Sequence, residues 1–113
     1  MGEDKSTNGQ ARGNQVPLLS VAPMMEWTDV FYRNLARLMT KRTWLYTEMI
    51  VDKTLIFKDK EGNSLDKFLY FPEAQHPVVL QLGGNGPSDL AAAVKLANSY
   101  GYDEINLNCG CPR

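Results

Sequence analysis

The sequence predicts an α/β fold of parallel strands alternating with helices, and three observations predict it. Short apolar runs recur along the chain, at residues 18–22, 44–50 and 78–82, with a polar–apolar alternation at residues 104–108. Segments with helical spacing lie between the first and second runs and between the third and fourth. Each run closes on polar or turn-forming residues, at Pro23, Glu48, Gln81 and Asn108. Such alternation calls for right-handed crossovers. Two sheets fit it, a doubly wound open sheet or the first half of a (β/α)₈ barrel. In a barrel the four polar strand ends meet at the face where barrel enzymes keep their chemistry. A complete barrel takes about 250 residues, so a chain of 113 residues reads as a truncated barrel of about four β/α units.

The elements follow in order. Residues 1–15 are Gly-, Asn-, Gln- and charge-rich and are expected to form a disordered polar tail, with the ordered domain spanning 16–113. Leu18-Leu19-Ser20-Val21-Ala22 reads as a buried strand stopped by Pro23. Thr28 or Asp29 suits a helix cap, and Phe31, Leu35, Leu38 and Met39 share one helical face, with Arg33, Arg37 and Lys41 off it. Residues 44–50, rich in aromatic and β-favouring side chains, form the second strand. Residues 51–75 carry the weakest pattern, with a charged surface loop at 58–63 and a helical turn at 66–70. Val78-Val79-Leu80-Gln81-Leu82 is a third buried strand. Pro87 opens a helix with Leu90, Ala93, Val94 and Ala97 on its apolar stripe, and Gly101 stops it. Glu104 to Asn108 is the fourth strand.

Composition narrows the function classes. The 12 Lys+Arg and 13 Asp+Glu nearly cancel, which argues against a generic nucleic-acid clamp while leaving room for a local basic patch. No apolar run approaches the ~20 residues that span a bilayer, and the N-terminus has neither a secretory nor a transit pattern. The two cysteines, Cys109 and Cys111, stand too close together to staple distant segments, which points to a reducing compartment, the cytoplasm or an organelle.

The chemistry-bearing residues cluster at the strand ends. Asn108 puts a carboxamide, and Cys111 a thiol, at the lip of the sheet, where Gly110 and Pro112 turn the chain. Read generically, a lone thiol is more often buried packing than catalyst. With His76 the lone histidine, two thiols do not make the four-ligand set that zinc normally takes, so no metal site is expected. Gln81 lies within an apolar strand, where its carboxamide needs partners that a core neighbour or a heterocycle edge could supply. Met24-Met25 suits either a core or a flat apolar cofactor. Gly83-Gly84-Asn85-Gly86 lacks the lysine and spacing of phosphate-binding loops, and reads as a loop of positive φ or close backbone approach.

Four stretches in order carry a resemblance: Ala22-Pro23-Met24-Met25-Glu26-Trp27-Thr28-Asp29, Tyr46-Thr47-Glu48-Met49, Gln81-Leu82-Gly83-Gly84, and Asn106-Leu107-Asn108-Cys109-Gly110-Cys111-Pro112. Together they resemble the successive motifs of the tRNA-dihydrouridine synthases, most closely the A-type subfamily, from about Leu18 to Arg113. The resemblance implies an FMN-dependent (β/α)₈ barrel that reduces the C5–C6 bond of a D-loop uridine near position 20 of tRNA, with NADPH or NADH reducing the flavin. It implies that Pro23, Met24 and Met25 pack on the flavin and that Gln81 hydrogen-bonds it. Asn108 would lie near the target uracil, and Cys111 would donate the proton to C5 as a general acid. That role needs a protonated thiol, whose ordinary pKa of ~8.5 suffices. Two residues depart from the family pattern, Cys109 in place of an apolar residue and Glu26 in place of the commoner Asp.

The resemblance also implies parts beyond Arg113: further flavin contacts, phosphate-binding loops and a helical tRNA-binding domain. A chain ending at Arg113 is therefore expected to be inactive alone. Another FMN barrel acting on a free pyrimidine or enone, and a non-catalytic truncated product, are the alternative readings.

Overall fold

The computed structural model describes residues 17–110. The predicted polar tail and Cys111 lie outside the described residues. One parallel sheet runs in the order β1 (Ser20–Val21), β2 (Trp44–Val51), β3 (Val78–Gly83), β4 (Glu104–Asn108). The helices are α1 (Val30–Met39), α2 (Asp52–Lys60), α3 (Asp66–Leu69) and α4 (Pro87–Ala97), with 3₁₀ turns at Glu73–Gln75 and Asn98–Tyr100. Sequential order without reversal is how a barrel lays down its first four strands; a doubly wound sheet reverses at a switch point. The arrangement is that of half a (β/α)₈ barrel.

One face of the sheet makes the core. Leu80 and Leu82 of β3 are sealed against Leu55 of α2, Leu65 and Leu69 at α3, and Ala93 and Ala97 of α4, with Ile105 of β4 half-buried beside them. The period-2 alternation therefore sends Val79, Gln81 and Gly83 to the opposite face, together with their register partners Glu104, Asn106 and Asn108. Pro87 stands at the first turn of α4 as expected. Gly101 closes the following 3₁₀ turn in the left-handed region, φ 79°.

Asp103 clamps the amino end of the β3–β4 pair. Its Oδ2 accepts from the Val78 N–H at 2.7 Å and lies 2.6 Å from His76 Nδ1, while its own N–H donates to the Val78 carbonyl at 3.0 Å. His76 is thus a structural residue, with Nε2 also 3.2 Å from Glu73 Oε2.

Three expectations need correction. The first strand is shorter than residues 18–22, and Leu18 and Leu19 are exposed. β1 is an edge strand paired only with β2, so nothing described covers its start. Within the weakly patterned stretch, residues 51–60 are the last residue of β2 and all of α2, so the expected charged loop at 58–63 begins inside that helix. No apolar stripe marks α2, because Leu55 is its one buried apolar side chain.

Third, the apolar stripe of α1 is not its buried face. Phe31, Leu35, Leu38 and Met39 are exposed, and Arg33 and Ala36 are buried. The reason is a supply of acceptors beneath the helix. Arg37 donates to the carbonyls of Gln75, Thr40, Thr43 and Pro77 at 2.9–3.0 Å. Arg33 donates to the Thr28 carbonyl at 2.7 Å and to Gln75 Oε1 at 2.9 Å, and burial pulls its pKa below the ordinary value. Gln75 completes the clasp by donating to Val30 O and Asn34 Oδ1. Hydrogen bonds from charged donors hold about 1.5–3 kcal/mol each, enough to outweigh the burial of a leucine. Asp29 caps the helix, accepting from the Tyr32 N–H at 2.8 Å.

Two measurements test these contacts. Asp103→Ala strands the Val78 N–H and should cost about 1–3 kcal/mol in a urea melt; an unchanged midpoint would remove the clamp. Tyr102 donates to the Leu69 carbonyl at 2.7 Å, and burial raises its pKa above 10.0. The Tyr100 hydroxyl is pushed up to about 12 by burial and by its bond to Asp66. Raised tyrosines bind protons in the folded state that the unfolded chain has released. Stability should therefore be full below pH ~10 and fall as pH rises above it. Tyr102→Phe should flatten that fall.

Candidate functional site at the carboxyl edge of the sheet

Parallel strands put all four carboxyl ends on one edge. There the chain gathers the Pro23–Thr28 segment after β1, Asp52 after β2, the glycine loop after β3, and Asn108 to Gly110 after β4. On the face away from the core, three carboxamides form a row. The Gly110 N–H donates to Asn108 Oδ1 at 2.9 Å, Asn108 Nδ2 donates to Gln81 Oε1 at 3.4 Å, and Gln81 Nε2 donates to Asn106 Oδ1 at 2.8 Å. The register makes the row, because Gln81 stands opposite Asn106 and Gly83 opposite Asn108. Gln81 and Asn108, both singled out in the sequence, are brought together. Asn106 carries no such signal in the sequence, although its i,i+2 spacing from Asn108 puts both amides on one face of β4.

The segment after β1 is built to expose apolar groups. Met24 anchors it: its carbonyl accepts from the Trp27 and Thr28 N–H groups at 3.0 and 2.9 Å, and its N–H donates to Thr28 Oγ1 at 3.0 Å. Pro23 is half-buried, while Met24 and Met25 stay 41% and 53% exposed. Among the described residues they are not packed into the core. Glu26 takes a left-handed φ of 67°, a conformation that costs a non-glycine residue about 1–3 kcal/mol. Its N–H donates to Glu48 Oε1. Glu48 reaches it from an irregular stretch of β2, where the pairing register shifts between Tyr46 and Met49. Thr47 Oγ1 accepts the Gln81 N–H there at 3.1 Å. A carboxylate inside the apolar run 44–50 was the available signal for Glu48.

The glycine loop is needed for close approach and not for positive φ, which among described glycines belongs to Gly62 and Gly101. A Cβ on Gly83 would lie 2.7 Å from Met49 Sδ, and one on Gly84 would lie 2.2 Å from Asp52 Oδ2 and 2.5 Å from its Cγ. Asp52 is buried, with Oδ1 accepting from the Lys53 N–H at 2.6 Å. Its carboxylate fills the space a side chain would take.

A cavity of about 350 Å³ is bordered by α1, β2 and α3 and by none of the three amides. Its charges oppose one another, Arg33 and Lys67 against Asp29, Glu48 and Asp66. Cys109 is exposed, with Sγ 3.9 Å from the Leu107 carbonyl. Among the described residues no three His, Cys, Asp or Glu are grouped to hold a metal, and no helix is long and apolar enough to cross a membrane.

Comparison with known proteins matches residues 20–113 to the family described as dihydrouridine synthase (Dus). The chain is 53% identical over 94 residues to the tRNA-dihydrouridine(20/20a) synthase of Vibrio parahaemolyticus, covering 83% of this chain and 27% of that protein. It is 46% identical over 110 residues to the synthase of that name from Pseudomonas putida, covering 97% and 31%. For Pseudomonas aeruginosa the identity is 48% over 93 residues, covering 82% and 26%. The chain thus spans less than a third of the length of the curated relatives it matches.

The Gly84–Asp52 contact is open to test. Gly84→Ala should destabilise the fold by about 1–3 kcal/mol through overpacking. Asp52→Ser in the same chain should recover part of that loss in a thermal melt. An Ala variant as stable as the parent would mean that the carboxylate does not fix this position.

Proposed function

The chain belongs to the dihydrouridine synthase family, and on that premise we propose that residues 16–113 form the first part of a flavin-dependent barrel that reduces uridine in tRNA. The observation that carries this is an amide row on β3 and β4 in a parallel sheet whose first strand leads into two exposed methionines. A flat heteroaromatic ring asks for that combination: polarisable apolar atoms for its faces and fixed donors and acceptors for its rim. The residues present fit FMN in this sense. Pro23, Met24 and Met25 would hold the ring and Gln81 its polar edge. When bound, FMN supplies the hydride for the uracil C6, itself reduced by NADPH or NADH.

Two of this chain's own residues would act on the substrate. Asn108, held by the Gly110 N–H at 2.9 Å, would orient the uracil through its carboxamide. Cys111 would hold the proton that C5 takes up, completing reduction of the C5–C6 bond. The thiol must stay protonated for this, the opposite of what a nucleophilic cysteine requires. The target base must leave its stack to reach the strand edge, so the partner is a folded tRNA gripped by shape and backbone. That relatives carry the name tRNA-dihydrouridine(20/20a) synthase supports a target uridine at positions 20 and 20a.

The test uses the barrel completed by downstream sequence of the kind the relatives carry. Purified protein should be yellow, and Cys111→Ala should keep its flavin absorbance while losing dihydrouridine formation by at least 100-fold, the low end for general-acid catalysis. Cys109→Ala should remain active. Full activity in Cys111→Ala would take the proton-donor role from that residue.

A further inference from the structure

The two ends of a carboxamide have nearly the same shape, so hydrogen bonds decide which way each one faces. In the row at the strand edge, the Gly110 backbone N–H gives the starting point. The Gly110 N–H can only donate, so the Asn108 atom 2.9 Å from it is oxygen. The Asn108 nitrogen then faces Gln81, which must present its oxygen at 3.4 Å. The Gln81 nitrogen then faces Asn106, which accepts at 2.8 Å. The first Gln81 bond is long and weak and the second short, so Asn108 alone holds Gln81 loosely.

We infer that Asn106 is a positioning residue: it fixes the Gln81 carboxamide so that Oε1 meets a bound heterocycle as hydrogen-bond acceptor, selecting a ring that offers an N–H. This rests on the reading that places the flavin at Gln81. Oxidised flavin carries one ring N–H, that of its imide, and the matching atom of Gln81 is the second lone pair of Oε1. Were the amide reversed, Nε2 would face both the Asn108 nitrogen and the imide N–H, two donor–donor contacts at once. The Gly110 N–H, through Asn108, sets the direction, and the short bond from Nε2 to Asn106 Oδ1 holds the amide in it. Asn106 needs no contact with the ring to act.

The experiment compares FMN with N3-methyl-FMN, which lacks the imide N–H, by fluorescence titration of the flavin-stripped full-length protein. The readout is the ratio of the two affinities, and Gln81→Leu supplies the purely steric part of that ratio. The parent should prefer FMN by about tenfold beyond the steric part, the worth of one hydrogen bond. Asn106→Leu should reduce the ratio to that of Gln81→Leu, and Asn106→Asp, which still accepts from Nε2, should restore it. Should Asn106→Leu not fold, Asn106→Ser, too short to reach Gln81, is read in the same way. If the Asn106 variants keep the parental ratio while Gln81→Leu loses it, the positioning role is overturned and the flavin reading stands. If Gln81→Leu itself keeps the parental ratio, the placement of flavin at Gln81 is wrong and the inference falls with it.

Discussion

The register between β3 and β4 is the constraint on which the site depends. Five consecutive pairs run from Val79–Glu104 to Gly83–Asn108 without a slip. A shift of one residue would send Asn106 and Asn108 into the helix-packed core and bring Ile105 and Leu107 to the opposite face. Two things prevent it. Leu80, Leu82 and Ile105 share one apolar layer, and Asp103 binds both the Val78 N–H and His76 at the amino end of the pair. The clamp and the amide row occupy opposite ends of the same two strands, so the first sets the geometry of the second without touching it.

A different constraint governs α1. A helix with a continuous apolar stripe is expected to bury it, yet this one turns Arg33 and the half-buried Arg37 inward, because the 3₁₀ turn and the start of β3 offer acceptors in one place. Arg37 takes two of them, Gln75 O and Pro77 O, 38 and 40 residues away in sequence, and two more from Thr40 and Thr43 just after the helix. Thr28, where the segment after β1 ends, supplies a carbonyl to Arg33. The exposed methionines and the buried guanidinium are therefore joined by one short piece of backbone.

Much of this was readable in the residues, and the unreadable parts share a cause. Strands 44–50, 78–82 and Glu104–Asn108 declared themselves because burial on one or both faces leaves an apolar signature, and α4 because Pro87 and Gly101 punctuate it. Periodicity located the stripe on α1 but could not say which face turns inward, since that depends on acceptors distant in sequence. α2 offers one buried leucine and hence no period. Glycines announced that the loop after β3 was special, but the side chains that press on it, Met49 and Asp52, belong to another strand end. Gln81 stood out as a polar residue in an apolar run. Asn106 did not, because alternation makes a polar residue ordinary at that position.

The amide row has a consequence for the conditions under which such a site works. Carboxamides gain and lose no protons in ordinary buffers, so the polarity of this rim is the same in acid and in alkali. Being neutral, it is also indifferent to the ionic atmosphere that a phosphate-rich partner carries with it, because salt screens charges and leaves short dipolar contacts nearly untouched. A recognition edge made from Asn106, Gln81 and Asn108 would hold the same pattern of donors and acceptors whether or not a polyanion lay against the protein.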